Sequence, residues 1–259
     1  AAFEYSLSLL AEKAGMTAED YIASLDLLDA EEIASVADQL NAGVSSEAYI
    51  SAKLPFGYNY IDEDLNVVHI NDGQGTHGSH VAGIATANAY IPTDDGFVPA
   101  LESAMVQGVA PDAQLITMKV FGNGDPYDSD YMAAIEDAIM LGCDVVNLSL
   151  GTSMPGSPYT DVYSELMEMM THTDTVVVIS AGNASNWAAA STFGYLYHDD
   201  VSFDTVGSPG SYGNALTVAS VDNNGAMGFY FTVGDRKIFF GEEVRFGNTH
   251  FIWLDTSLD

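Results

Sequence analysis

Basic residues are the scarcest feature of this chain: 6 Lys and Arg face 37 Asp and Glu in 259 residues, a formal charge of −31. Between Lys53 and Arg236 the only basic residue is Lys119. Nucleic acid and anionic membrane surfaces both need Lys or Arg against their phosphates, so they are poor partners here. Long apolar runs are missing too. The longest strand-like run is Val176 to Ile179, far below the roughly 18 residues of a spanning helix. The single cysteine, Cys143, excludes an internal disulfide and every multi-cysteine zinc pattern, and its place between a helix and a strand reads as a small core residue. The chain opens at Ala1 without a basic stretch before an apolar one, so no targeting signal is legible.

What remains is 47% apolar, enough to bury a substantial core, and it is organised in three parts. Residues 1–50 read as acidic helices. Thr17-Ala-Glu-Asp20 and Asp29-Ala-Glu-Glu32 are capping-box patterns, the second leading Ile33, Val36 and Leu40 at helical spacing until Gly43 stops the helix. Glu31, Glu32 and Asp38 fall on its solvent face. From Pro55 to Ser220, short apolar runs alternate with helical patterns, as parallel strands joined by crossover helices do. Strands are expected at 114–121, 144–150, 175–180 and 216–221, and helices near 78–88, 129–141 and 159–171. Met132, Ile135 and Ile139 form the stripe of the middle helix, and Met167, Met169 and Met170 read as core filler. After Asn224 aromatic and β-branched residues fall in strand-length runs without helices, a β-rich segment spanning 225–259.

The densest chemical signal is Gly75-Thr-His77-Gly78-Ser79-His80-Val81-Ala82-Gly83. His77 stands where a helix begins, and the positive end of the helix dipole there disfavours an imidazolium and keeps a neutral base available. Gly78 and Gly83 are expected to let the helix pack closely on the sheet. His77 and His80 are spaced as a metal pair, but no third ligand follows at a zinc spacing, so no metal ligand is assigned.

Further blocks follow in order: Gly108-Val109-Ala110-Pro111 leading to Met118-Lys119-Val120, Val145-Val146-Asn147-Leu148-Ser149-Leu150-Gly151, and Ser180-Ala181-Gly182-Asn183. Together with the histidine block they resemble the subtilisin-like serine proteases. Leu54-Pro-Phe-Gly-Tyr58 and Gly207-Ser-Pro-Gly210 are most similar to the lactocepin-type cell-envelope proteinases. The resemblance implies a three-layer α/β fold, here incomplete, with a mainly parallel sheet flanked by helices. Residues 1–224 would be a partial peptidase domain. The segment 225–259 would open an inserted protease-associated domain. It implies that His77 is the general base, that Asn183 donates its amide to the oxyanion, and that Gly122, Gly124, Ser149, Leu150, Gly151, Ser180, Ala181 and Gly182 line the path of an extended peptide substrate. No cofactor is needed for that chemistry, structural calcium would suit the acidity, and the implied location is extracellular, at a bacterial cell wall or envelope.

Two blocks of the family pattern are absent, the aspartate block before the histidine and the serine block after the oxyanion asparagine. Gly151-Thr-Ser153-Met154 imitates the serine block but precedes Asn183 and continues a strand. Asp255-Thr-Ser257 imitates the aspartate block at the wrong end, and Asp72 lies near His77 outside any such block. Ala1-Ala-Phe3-Glu4 resembles the segment that follows the family's aspartate strand. The implied reading is an internal piece of an exported serine endopeptidase, inactive by itself. A non-catalytic module that holds extended peptides is the alternative, and a nucleotide-binding domain lacks its glycine-rich loop.

The charge imbalance carries an expectation of its own: divalent cations should stabilise the fold beyond ionic-strength screening. Melting midpoints in calcium chloride above those in sodium chloride at matched ionic strength are the expected result, and equal midpoints would leave screening alone.

Overall fold

The computed structural model describes residues 1–68, 75–122, 128–151, 162–182, 206–213, 215–221, 229–234, 236–245 and 248–253. The chain forms two units, Ala1–Val218 and Ala219–Asp259.

The first unit opens with helices α1 (Ala2–Ala14), α2 (Ala18–Ala23) and α3 (Ala30–Val36). Asp29 caps α3 as its sequence predicts. Its carboxylate accepts from the amides of Glu31 and Glu32, and the Glu32 carboxylate accepts in return from the Asp29 amide. The helix ends at Val36 and tightens into a 3₁₀ turn, Ala37–Gln39, so it stops short of the expected Gly43. Then follow β1 (Phe56–Asn59), α4 (His77–Thr86), a hairpin of β2 (Tyr90–Thr93) and β3 (Gly96–Pro99), and the short α5 (Ala100–Ser103). The unit continues through β4 (Ile116–Lys119), α6 (Asp128–Met140), β5 (Val145–Leu148), α7 (Val162–Met170), β6 (Val176–Ser180) and β7 (Leu216–Val218). The periodicity places β4 to β7 and α4, α6 and α7 to within a few residues. It misses β1, which is buried at all four positions and so shows no alternation, and the β2–β3 hairpin.

Strands pair in parallel as β1 with β4 and as β5, β6 and β7 in that order. These are two separate sheets among the described residues, each holding one half of the core. Ile33, Phe56, Tyr58 and Tyr60 form the first cluster and Leu148, Leu166, Met167, Val177 and Ile179 the second. Helix α6 serves both, with Ala134 in the first cluster and Ile135 in the second. Met167 and Met170 are core residues as expected, whereas Met169 is exposed because it lies on the opposite side of α7. Val145 also departs from the buried-strand reading and is 57% exposed.

Asp137 of α6 is fully buried and binds across 95 residues of sequence. Its carboxylate accepts from the amides of Asn41 (2.6 Å) and Ala42 (2.9 Å) and from the Tyr60 hydroxyl (2.8 Å). Burial, then the Asp137 charge, pushes the Tyr60 hydroxyl far above its ordinary range, so Tyr60 remains a neutral donor. Three further ties hold the N-terminal helices. Gln114 accepts from the Leu28 amide and donates to the carbonyls of Leu28 and Ala52. Lys53 donates to the carbonyls of Pro111 (2.7 Å) and Ala113 (2.6 Å) beneath the Phe3 ring. Tyr5 of α1 stacks on Phe97 of the hairpin at 4.2 Å. The second unit contains an antiparallel sheet in the order β10 (Asn248–Trp253), β9 (Arg236–Arg245), β8 (Phe229–Val233).

These ties generate two predictions. Asp137→Ala leaves two buried donors, the Ala42 amide and the Tyr60 hydroxyl, and the part-buried Asn41 amide without their acceptor and should destabilise the chain by about 3–5 kcal/mol, against about 1 kcal/mol for Tyr60→Phe, read from urea midpoints at unchanged slope. Burial lowers the Lys53 ammonium to about 8, against a smaller opposing effect of Asp112. Between that value and the unfolded value near 10.4 the unfolded chain binds the extra proton, so this group makes stability rise with pH through that window. The stability difference between the native chain and Lys53→Met should therefore shift in favour of the native chain from pH 8 to 10, and a flat difference would contradict it.

Candidate functional site

His77 is the first residue of α4 and is exposed. Thr76 at the N-cap contributes no side-chain bond, and the helix starts with the His80 amide donating to the Thr76 carbonyl. The close packing expected at Gly78 and Gly83 is not what the structure has: a methyl group at either meets nothing within 4 Å. The close approach falls instead at the other end of α4. There Gly108 lies against the backbone of Thr86 and Ala87, and the amides of Gly108, Val109 and Ala110 donate to the carbonyls of Ala87, Ile84 and Ala85. His77 and His80 belong to no group of three or more metal-ligating side chains among the described residues.

The second part of the site is made by the C-terminal ends of β5 and β6. Ser149, Leu150 and Gly151 continue β5, and Ala181 and Gly182 continue β6 beyond Ser180. The two ends are tied by the Ser180 hydroxyl, which donates to the Leu150 carbonyl at 3.3 Å. Gly151 has φ +152°, and a Cβ there would stand 2.6 Å from the Ser208 carbonyl oxygen, so a side chain is barred by both conformation and space. The Ala181 amide donates to the Val218 carbonyl, and the Gly207 amide to the Ala181 carbonyl. The turn Gly207–Gly210 thereby underlies both strand ends. In sequence this turn is only a mark of family resemblance. Its density of Gly, Ser and Pro signalled a turn but not the strands it would support.

His77, Ser149 to Gly151 and Ser180 to Gly182 all line one cavity of about 2220 Å³. Gly122 does not. It is buried with Ile61 at 3.0 Å from where its Cβ would lie. Asn183 and Gly124 lie outside the described residues, as do Asp72, Ser153, Asp255 and Ser257. The cavity is also lined by every residue from Ala113 to Phe121 and from Leu141 to Gly151. Successive strand residues point to opposite faces, so a cavity touching all of them runs along the strand edges. β4 pairs only with β1, and β5 only with β6, among the described strands. The edge each leaves unpaired faces this space. Asp26, Glu32, Asp112 and Asp144 line it, as does Lys119, whose ammonium donates to the Val68 carbonyl at 3.1 Å. Cys143 lines it as well, but burial and then the Asp144 charge push its thiol up to about 11, which leaves it protonated and a poor nucleophile at neutral pH.

The sequence pattern of the Subtilase family matches residues 40–238. Among curated proteins, the PII-type proteinase of Lacticaseibacillus paracasei is 34% identical over 194 residues, covering 73% of this chain and 10% of that protein. The PI-type proteinase of Lactococcus lactis subsp. cremoris is 35% identical over 192 residues, 72% of this chain and 10% of that protein. The C5a peptidase of Streptococcus pyogenes is 30% identical over 181 residues, 69% and 14%. The chain thus spans about a tenth of the length of the first two of these relatives. A solved structure of the prenylagaramide maturation protease PagA aligns with a TM-score of 0.40 at 21% identity, covering 58% of this chain and 44% of that one. With four ordered sequence blocks, parallel strands flanked by helices and a family pattern running through most of its length, the chain belongs to the subtilase family.

Proposed function

We propose that residues 1–259 are an internal portion of an exported serine endopeptidase of the bacterial cell envelope. The observation that carries the reading is the shared cavity: His77 and the ends of β5 and β6 reach one space from separate elements. In the proposed reaction His77 takes the proton from a serine hydroxyl as it attacks the peptide carbonyl and returns it to the departing amine. The Asn183 side-chain amide donates to the carbonyl oxygen as it becomes an oxyanion. The main chain at Ser149 to Gly151 and Ser180 to Gly182 holds the peptide extended, adding it as a strand, and Gly151 leaves the backbone open to it. The nucleophile and the carboxylate that orients His77 are assigned to sequence outside this segment. No metal is assigned a catalytic role, and calcium remains proposed only as a stabilising ion.

The chain of 1–259 should neither cleave an unstructured protein nor react with a serine-directed fluorophosphonate, since base and oxyanion donor alone leave about 10³- to 10⁴-fold catalysis over water. Labelling of Ser153, with turnover abolished by Ser153→Ala, would overturn this. The polypeptide with its natural flanking sequence should label at one serine and cleave the same protein. There His77→Ala should cost about 10⁶-fold in kcat, the loss known for subtilisin, a member of this family. Peptide binding without cleavage by that longer polypeptide would favour the alternative, a non-catalytic peptide-holding module.

A further inference from the structure

We propose that Gly108, Val109 and Ala110 are the positioning element for His77, acting on it from the opposite end of α4; the proposal rests on the reading of His77 as the base. Among the described residues, the side chains of helix α4 do little to locate it. Thr86 is its only buried residue, none of its side chains belongs to either core cluster, and Thr76 provides no side-chain cap.

Its C-terminal end is held differently. The last carbonyls of a helix have no partner within it. Here the Val109 amide donates to Ile84, the Ala110 amide to Ala85 and the Gly108 amide to Ala87, each at 2.9 Å. The Val109 side chain is 87% exposed, so the hold is exerted by main chain alone. Gly108 is buried, and a Cβ there would stand 2.3 Å from the Ala87 nitrogen and 2.5 and 2.6 Å from Thr86 carbonyl carbon and Cα. All three are backbone atoms, with no flexible side chain to give way. Ordinary contact begins at 3.4 Å, so α4 and the segment would have to separate by about 1 Å. A ten-residue helix is a rod about 15 Å long, and a shift at Thr86 is carried to His77. A misplacement of that size costs about 10²-fold in a catalytic step.

The test compares Gly108→Ala with Gly83→Ala, which adds the same methyl group within α4 where space is open. The 1–259 chain is followed by amide hydrogen exchange and by the His77 ring resonances at fixed pH. Gly108→Ala should accelerate exchange of the Val81 to Ala85 amides at least tenfold and move the His77 ring resonances, while Gly83→Ala leaves both in place. Unchanged exchange and ring resonances in Gly108→Ala, or an equal ring shift in Gly83→Ala, overturn the proposal. If Gly108→Ala does not fold, native-state exchange of the unsubstituted chain decides: the Val109 and Ala110 amides must open with the same free energy as those of α4, and separate openings refute the coupling. In the longer natural polypeptide, Gly108→Ala should lower kcat about 10²-fold with KM changed less than threefold, and a raised KM with kcat intact would overturn positioning. Should that polypeptide prove inactive, the base reading of His77 fails by itself, and the exchange and ring measurements still decide the coupling.

Discussion

The carboxylate of Asp137 is the point on which the first unit turns. It is fully buried, and it satisfies two backbone amides of the N-terminal segment together with the hydroxyl of Tyr60 just beyond β1. A buried carboxylate is tolerable only with its lone pairs filled, so the three donors and the acceptor require one another. The same helix carries Ala134 into the core beneath β1 and β4 and Ile135 into the core beneath β5 and β6. α6 is thus the shared wall of two hydrophobic clusters whose strands do not pair with each other.

That arrangement explains the shape of the cavity. A crossover from β4 through α6 to β5 normally lays the two strands in one sheet. Here the helix spans the crossover while the strand edges beneath it stay apart, and the cavity runs along both. Half-exposed Val145 is the price in buried surface, at roughly 25 cal/mol for each Å² left in water. The strand ends of β5 and β6 and the start of α4 all line this space.

Main-chain contacts hold the end of β5 and the end of α4. Gly151 against Ser208 and Gly108 against Thr86 and Ala87 are approaches at which any Cβ collides with backbone, the first bringing a distant turn against the end of β5 and the second a distant segment against the end of α4. The turn Gly207–Gly210 supports two strand ends in this way, and Gly108–Ala110 completes the carbonyls that α4 leaves open. Such contacts resist displacement because neither partner has a rotamer to change.

Sequence alone determined the elements whose signal is local. Capping at Asp29, the stripe of α6 and the apolar runs of β4 to β7 depend on neighbours within a few residues, and the histidine, strand-end and asparagine blocks identified the family by their order. Tertiary structure alone decided which glycine is crowded, because Gly78 and Gly108 look alike in sequence and differ only in what the rest of the chain brings to them. It likewise decided that Met169 faces water and that Gly122 lies outside the cavity, and it paired Gln114 with Leu28 and Asp137 with Ala42 across 86 and 95 residues. Periodicity reports which way a side chain leaves its own helix or strand; what it then meets is set by segments far away in the chain, and no local pattern encodes their arrival.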